Sequence, residues 1–262
     1  MKTLLASFAA GLGLLASLAS RDTAHAQNAP LFAQDVPYSG LRSLPGTDFP
    51  DQAPFSSMRF DKLEWNRLGR FDSARWDMEA FYGNDYDKLF LKSEGFYSGR
   101  AKRFDEAQVQ VLYSHLISYF FDLQVGIRQD LSPTPRRTYA AIGIEGLAPG
   151  FFEIDATAYV SQKGEISGTF TTWYDLLITN RLVLQPRVDV RLQLQRIPEL
   201  QLGSGFTDLE LGARLRYEFT REIAPYIGVT WDRRLGETAT FVKRNDEPTS
   251  SVYFVGGVRL LW

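Results

Sequence analysis

Apolar and polar residues alternate along most of this chain with a period of two. The alternation begins near Met58 and continues to the C-terminal Trp262. In residues 182–194, leucines and valines occupy most even-numbered positions, and between them stand Gln185, Arg187, Asp189, Arg191 and Gln193. Successive side chains of a β-strand point to opposite faces, so the pattern predicts strands with one apolar and one polar face. Helical spacing does not fit, because charged residues recur at every second position.

The alternation predicts about twelve strands. They are expected near residues 58–66, 74–82, 86–96, 105–114, 119–129, 136–147, 151–161, 164–175, 180–195, 206–219, 223–234 and 250–262. Most of these segments are longer than the ~5–6 residues of a typical soluble strand. They match instead the ~9–11 residues that a tilted strand needs to cross a bilayer. Strand length therefore favours a membrane barrel over a soluble sandwich.

Short and long connections alternate between the predicted strands, except that the link near Gln162 and Lys163 is short where a longer one is expected. Short turns are expected at residues 83–85, 114–118, 148–150, 177–180 and 220–222, and longer links at 67–73, 97–104, 130–135, 196–205 and 235–249. Outer-membrane barrels have short periplasmic turns and longer external loops. The sequence therefore predicts an all-β fold, a transmembrane antiparallel up-and-down β-barrel of about 12 strands, with both termini in the periplasm. A barrel with a well-formed aromatic girdle can stand alone, so we expect a monomer surrounded by outer-membrane lipid.

Aromatic residues stand at the strand ends that this topology assigns to the periplasmic side. They all fall in the outward, apolar phase of their strands: Tyr82, Phe121, Phe152, Tyr174, Phe219 and Trp262. An aromatic girdle at the membrane interface requires this phase. A general preference of aromatic residues for strand ends would not select one face. The aromatic positions therefore support a barrel that spans the outer membrane.

The N-terminal region has the features of an export signal. Lys2 precedes an apolar stretch from Leu4 to Leu18, and Ala24-His25-Ala26 resembles a cleavage site. We expect residues 1–26 to be a signal peptide, cleaved near Ala26 after Sec export to the outer membrane of a Gram-negative bacterium. Residues 27–57 are rich in proline and read as a flexible arm. The barrel is expected to occupy residues 58–262.

Composition excludes several functional classes. The formal net charge is −2, which gives no support to a nucleic-acid partner. The chain has no cysteine, so neither disulfides nor thiolate metal sites can form. An enzyme is also not expected, because the one histidine of the mature chain, His115, falls in a predicted short turn without a serine in register to form a dyad.

Several strand sequences resemble those of the copper-resistance protein B family. The resemblance is collinear over roughly residues 57–262 and is carried by DKLEW (61–65), YGNDYDKLFLKSEG (82–95), DLQVGIRQD (122–130), FFEIDATAYVS (151–161), YDLLITNRLVLQPRVDV (174–190) and the long segment 203–241. It implies an outer-membrane protein of copper resistance and homeostasis, with copper as the bound, sequestered or exported ion. It also implies a periplasmic multicopper oxidase as a partner.

The chain departs from this family where the copper ligands would be expected. Family members typically have an N-terminal segment rich in Met and His, whereas residues 27–57 contain neither. Cu(I) prefers thioether and thiolate ligands, and Cu(II) prefers imidazole. The mature chain offers only Met58, Met78 and His115. Met78 is expected to face lipid, and His115 to lie in a solvated turn, so Met58 and His115 are weak candidates at best.

The polar faces of the strands are expected to line the barrel lumen. The predicted lining residues are Asp77, Glu79, Lys88, Lys92, Asp122, Arg128, Asp155, Arg187, Asp189, Arg191, Glu210, Arg214 and Arg216. Opposite charges on neighbouring strands more often form a packed ion-pair network than a metal site. Open aqueous channels appear at about 16–18 strands, so a smaller barrel can be filled by such side chains. The alternative to a packed lumen is a metal path through it. The alternative to the copper role is a passive porin or structural barrel without a metal role.

Overall fold

The structure is a computed structural model that describes residues 53–262, apart from residues 69, 70, 100, 246 and 247. The predicted signal peptide and residues 27–52 of the predicted arm lie outside the described residues. Within the described part, the first strand begins at Phe55. It includes the last residues of the predicted arm, because Phe55, Ser56 and Ser57 already pair with the following strand.

Thirteen strands account for most of the described residues. They are β1 (Phe55–Leu68), β2 (Phe71–Gly83), β3 (Asp87–Ser98), β4 (Arg103–Ser118), β5 (Phe121–Ser132), β6 (Thr138–Ala148), β7 (Phe152–Ser161), β8 (Ile166–Trp173), β9 (Leu176–Leu177), β10 (Leu182–Gln193), β11 (Gly205–Tyr217), β12 (Ile223–Arg234) and β13 (Ser250–Leu261). A short helix, α1 (Gly236–Arg244), precedes β13. No helix in the described part is long and apolar enough to cross a membrane.

The strands form one closed antiparallel sheet. Apart from β8 and β9, which do not pair with each other, each strand pairs with its neighbours along the chain, and β1 pairs with β13, which closes the sheet into a barrel. Strands β8 and β9 both pair with β10, at different heights, so they are two parts of one crossing that is interrupted at Tyr174 and Asp175. Among the described residues the barrel therefore has twelve crossings, and the predicted all-β barrel of about 12 strands is confirmed.

Burial alternates along the strands in the opposite sense to a soluble barrel. In β4, the polar residues Gln110 and Ser114 are 4% and 0% exposed, whereas the apolar Val111 and Ile117 are 48% and 55% exposed. The polar residues face the lumen and the apolar residues face outward. Large outward apolar side chains are tolerated only in contact with lipid or another apolar partner. The period-two pattern of the sequence thus becomes a polar interior and an apolar exterior.

Aromatic side chains cluster at the end of the barrel where the chain enters at Phe55 and leaves at Trp262. We call this end the terminal rim and the opposite end the far rim. Ring pairs form here between Phe152 and Tyr174, with centroids 5.2 Å apart, and between Tyr217 and Phe219, at 5.0 Å. These pairs connect residues on the outward faces of the strand ends, which is the arrangement of an interfacial girdle.

Two predicted connections differ from the structure. Residues Ser114–Ser118 were expected to form a short turn, but they are the end of β4, and the turn consists of Tyr119 and Phe120. The strand continues because its backbone still finds partners; the Leu116 amide, for example, donates to the Tyr86 carbonyl at 2.8 Å. The link predicted at 67–73 is also much shorter, because β1 and β2 are separated only by residues 69 and 70.

A β-bulge in β1 changes which residues face the lumen. The register with β2 shifts between Phe60 and Lys62, so two residues of β1 oppose one residue of β2. As a result the consecutive residues Asp61 and Lys62 both line the lumen. A strict period of two could not have predicted this, because one of two consecutive residues would have been assigned to the outer face.

The far rim carries the longest irregular segments of the described chain. The link between β10 and β11 contains a single turn of 3-10 helix at Pro198–Leu200, and it packs against α1. The Gly203 amide donates to Thr238 Oγ1 at 2.9 Å, and a Cβ on Gly203 would lie 2.3 Å from Glu237 Cβ. Only glycine therefore permits this close approach. The structure thus joins the two long far-rim links into one packed unit.

Candidate functional site

Charged side chains from nearly all strands surround a central cavity in the lumen. The cavity has a volume of about 150 Å³. Its acidic lining residues are Asp61, Asp77, Glu79, Glu94, Glu106, Glu145, Asp155, Asp189, Asp208, Glu210 and Asp232, and its basic lining residues are Arg59, Lys62, Arg75, Lys92, Arg187, Arg191, Arg233 and Arg234. Eleven acidic groups thus face eight basic groups. This acidic excess would attract cations, although carboxylates alone select poorly among metal ions.

Ion pairs cross the lumen between strands that are not neighbours in the sheet. Arg75 on β2 binds Glu210 on β11, with nitrogen–oxygen distances of 2.8 and 2.9 Å. Arg191 on β10 reaches Glu106 on β4 at 3.0 Å, although four crossings (β5 to β8) separate these strands on the shorter path around the barrel. Such pairs span the interior rather than line one wall. They place paired charged side chains across the interior of the lumen.

Lys92 is the centre of a second charge network, between β3 and strands β6 and β7. Its Nζ lies 2.6 Å from Glu145 and 3.0 Å from Asp155, and Glu79 lies 3.6 Å away. The Gln124 amide donates a further hydrogen bond to Glu145 at 2.7 Å. A single buried ammonium is therefore surrounded by three carboxylates. Opposite charges and hydrogen bonds compensate for the burial, as a stable interior charge requires.

Aromatic side chains fill part of the lumen beside Lys92. Phe90, Leu112, Tyr139 and Tyr159 form a buried cluster with Ala141, and Phe81 packs against it. Arg128 lies over the rings of Tyr139 and Tyr159, at 5.1 and 4.7 Å from the centroids. The sequence predicted a polar lumen and did not single out this apolar cluster. Its members nevertheless occupy inward positions in the alternation.

A buried triad lies closer to the terminal rim. Arg214 donates through Nε to Glu64 Oε1 at 2.6 Å, and the Tyr226 hydroxyl donates to the same oxygen at 3.2 Å. The side chains of Glu64 and Arg214 are 1% and 3% exposed. A Cβ on Gly212 would lie 2.5 Å from Arg214 Nη1, so the missing side chain at Gly212 makes room for the guanidinium group.

The structure brings most of the predicted lumen residues together. Those that line the central cavity are Asp77, Glu79, Lys92, Asp155, Arg187, Asp189, Arg191 and Glu210. Lys88 pairs with Asp122 at 2.9 Å, away from the cavity, and Arg128 stacks on the aromatic cluster. Arg214 and Arg216 line a separate, smaller void.

Several lining residues were not singled out from the sequence. Glu106, Glu145, Asp232 and Arg234 occupy inward positions of the period-two pattern, so the same signal could have identified them. Asp61 and Lys62 could not have been assigned together, because the bulge breaks the period. The partners across the lumen were also not predictable, since alternation fixes the face of a residue but not its height in the barrel.

The three residues with copper-preferring side chains lie outside the lumen. Met58 and Met78 alternate with the lumen-facing Arg59, Asp77 and Glu79, and they therefore belong to the outward face. Met78 was expected to face lipid, but it is only 8% exposed on that face. Neither lines the central cavity or the smaller void. The barrel residues thus do not combine thioethers with the charged interior.

His115 also lies on the outward face, in β4 rather than in the predicted turn. Its Nδ1 is 2.7 Å from Asp87 Oδ1, and Tyr113 hydrogen-bonds to the same carboxylate. Its side chain is 53% exposed, near the terminal rim. Within the described residues no group of three or more His, Cys, Asp or Glu side chains could hold a metal ion. The part of the chain that the structure describes therefore does not fit a resident copper site.

These features define a class: an outer-membrane-type β-barrel with a charged lumen that ion pairs cross. A solved structure titled NanC porin has a related fold, with a TM-score of 0.52, 13% sequence identity and coverage of 78% of this chain and 98% of that chain. The family model "Copper resistance protein B precursor (CopB)" matches residues 54–262. The chain therefore belongs to the copper resistance protein B family.

Two relatives match most of the chain. Copper resistance protein B of Escherichia coli is 39% identical over 218 residues, which cover 83% of this chain and 73% of that protein. The copper resistance protein B homolog of Pseudomonas syringae pv. tomato is 38% identical over 215 residues, or 82% of this chain and 72% of that protein. Both matches are long enough to include most of the barrel.

Proposed function

We propose that this protein serves copper resistance in the outer membrane as a barrel with a closed lumen, and that a periplasmic partner supplies the high-affinity copper ligands. The observation that carries the copper role is the family match over residues 54–262, which includes every described strand. The outward aromatic girdle and the apolar exterior support the location. The terminal rim then faces the periplasm, where short turns are the rule.

The need for a partner follows from the positions of the soft and imidazole ligands. Met58, Met78 and His115 all belong to the outward face, so copper inside the lumen would meet only carboxylates, hydroxyls and amides. Such ligands suit harder cations and hold copper weakly. A periplasmic multicopper oxidase, which the family resemblance implies, is the proposed partner. It would oxidise or buffer the ion while the barrel provides the membrane component.

A passive porin is disfavoured by the pairs that cross the lumen. Arg75–Glu210 and Arg191–Glu106 occupy the interior that a diffusion pore leaves open. A cation path through the lumen is the second candidate function, and the acidic excess around the central cavity favours it. Ion passage by this path would require at least one of the crossing pairs to separate.

We also propose that the protein is not an enzyme. The Asp87–His115 pair resembles part of a catalytic dyad, but Tyr113 is the hydroxyl that joins it. The pair is exposed on the outward face rather than enclosed in a cleft. Catalysis by such a pair would also need a nucleophile and a substrate site that is shielded from solvent.

Copper tolerance of a strain that lacks this gene tests the proposal. We expect the deletion to lower growth in copper and to leave growth in zinc and cobalt unchanged. The cloned gene should restore tolerance. Unchanged copper tolerance in a strain without a second copy would refute the copper role, and an equal loss of tolerance to all three metals would indicate a general defect of the envelope.

A further inference from the structure

Exposed positive charge is concentrated in the links of the far rim. In the five far-rim links that precede β4, β6, β8, β11 and β13, the described residues include six exposed basic side chains: Lys102, Arg136, Lys163, Arg196, Lys243 and Arg244. The exposed acidic residues of the same described links are Glu199 and Glu237. Glu199 pairs with Lys163 at 3.2 Å, and the other five basic residues have no ion-pair partner among the described residues.

The terminal rim lacks this excess of positive charge. Its described links expose two basic residues, Arg181 and Arg221, and two acidic residues, Asp85 and Glu222. The charged residues of the far-rim links that lie outside the described part of the chain cancel one another: Arg70, Arg100, Asp246 and Glu247. The two ends of the barrel therefore differ in charge, although the whole chain has a formal net charge of −2.

Apolar side chains on the outer face of the barrel end close to these basic residues. Val160 on β7 is 45% exposed, and Lys163 follows it in the next link. Leu194 continues the outward phase of β10 and is 58% exposed, and Arg196 follows it directly in the link to β11. The outer face thus changes from apolar to basic at the far rim. A lipid with acyl chains and an anionic head group presents the complementary surfaces.

We infer that the far rim binds the phosphate groups of a phosphorylated glycolipid in the outer leaflet that surrounds the barrel. Basic side chains at a membrane surface attract anionic head groups, and the guanidinium group offers paired donors to phosphate oxygens. The basic residues come from five links that are spread around the closed sheet, so they fit a shell of lipids better than one soluble anion. The inference rests on the proposed orientation, in which the terminal rim faces the periplasm.

Binding of lipid A, a diphosphorylated glycolipid, to the purified mature protein tests the inference. In a titration followed by native mass spectrometry, we expect lipid A to bind more tightly than its monophosphorylated form. R136Q/R244Q should weaken lipid A binding roughly tenfold or more, because each basic residue near an anionic surface contributes to the attraction. Equal affinity for the two lipids, or an unchanged affinity of R136Q/R244Q for lipid A, would overturn the inference.

R181Q/R221Q is the matched control. It removes two exposed arginines as well, but from the terminal rim, and it should bind lipid A as the native protein does. All four positions are exposed, so both variants should fold. An equal loss of affinity in the control would show a general effect of charge and would overturn the inference. Displacement of lipid A by millimolar inorganic phosphate would identify a soluble anion as the ligand and would overturn it as well.

The orientation is tested separately, because the chain has no native cysteine. The K243C variant should react with a membrane-impermeant maleimide on intact cells. Reaction only in broken cells would refute the proposed orientation and the inference with it. Reaction on intact cells, combined with equal binding of the two lipids, would overturn the inference alone.

Discussion

Burial should decide how much each lumen ion pair contributes to stability, and two pairs of the same chemistry allow a direct comparison. The Glu64 and Arg214 side chains are 1% and 3% exposed, whereas those of Glu106 and Arg191 are 43% and 45% exposed. We expect E64Q to lower the free energy of unfolding by ~3 kcal/mol or more, because it leaves Arg214 buried without a compensating charge. E106Q should cost about 0–1 kcal/mol, because solvent screens that pair.

The magnitude for E64Q follows from the geometry. A nitrogen–oxygen distance of 2.6 Å separates the two groups. At an effective dielectric constant of about 20 the attraction at this distance is roughly 6 kcal/mol, which the desolvation of both groups partly offsets. Glutamine keeps an acceptor for Arg214 Nε, so the loss should fall at the lower end of the ~3–5 kcal/mol that is typical when one partner of a buried pair is removed.

Equilibrium unfolding in urea, with the protein refolded in lipid vesicles and followed by tryptophan fluorescence, measures both variants. R214M and the double variant E64Q/R214M complete the cycle and isolate the pair from the effect of each residue alone. Equal losses for E64Q and E106Q, or a loss below about 1 kcal/mol for E64Q, would refute the reasoning that burial governs these pairs.

Three further predictions concern the lumen, the outer face and the far rim. In planar bilayers the native barrel should conduct far less than an open channel of about 16–18 strands, and R75A/R191A should conduct more than the native protein; equal conductance would mean that the crossing pairs do not divide the lumen. V111R should destabilise the barrel in vesicles by ~2–4 kcal/mol because it faces the bilayer, with V111T as the control; no loss would contradict that placement. Glu199 accepts from Arg137 at 3.0 Å and Lys163 at 3.2 Å, so E199Q should accelerate tryptic cleavage in the link after β10, and an unchanged rate would exclude this tether.

Much of the fold could be predicted because the bilayer enforces a simple rule. A strand that separates lipid from a polar lumen must alternate strictly, and β12 accordingly begins and ends at the predicted residues, Ile223 and Arg234. The structure departs from the predicted strands where the alternation of apolar and polar residues is weak. The end of β4 carries Ser114 and His115 in succession, so its alternation is weak, yet its backbone continues to pair.

The structure of the far rim could not be predicted from the alternation of apolar and polar residues, for a different reason. Helix α1 lies in a segment that was assigned to a loop, and it has nine residues with only one buried, Thr238. Its acidic residue in the first turn and basic residues in the last turn agree with the helix dipole. These are weak signals in a short polar segment. Contacts with Gly203 and its neighbours, which are distant in sequence, stabilise the helix instead.

The candidate site was predictable as a set of residues but not as an arrangement. Alternation assigned Arg187, Asp189 and Arg191 to the lumen face, and the structure places all three around the central cavity. It could not indicate that Arg191 reaches across the barrel to Glu106 while Arg187 pairs with Asp189 on its own strand. Those choices depend on strand tilt and register, which arise only when the sheet closes.

Copper tolerance of the deletion strain complemented with M58L/M78L/H115N tests the central claim most directly. This variant removes every thioether and imidazole side chain of the barrel while it leaves the charged lumen intact. The account predicts that it restores copper tolerance as fully as the native gene, because a partner supplies the high-affinity ligands. Failure to restore tolerance, with native amounts of the folded variant in the outer membrane and unchanged growth in zinc and cobalt, would contradict the account and assign copper binding to the barrel itself.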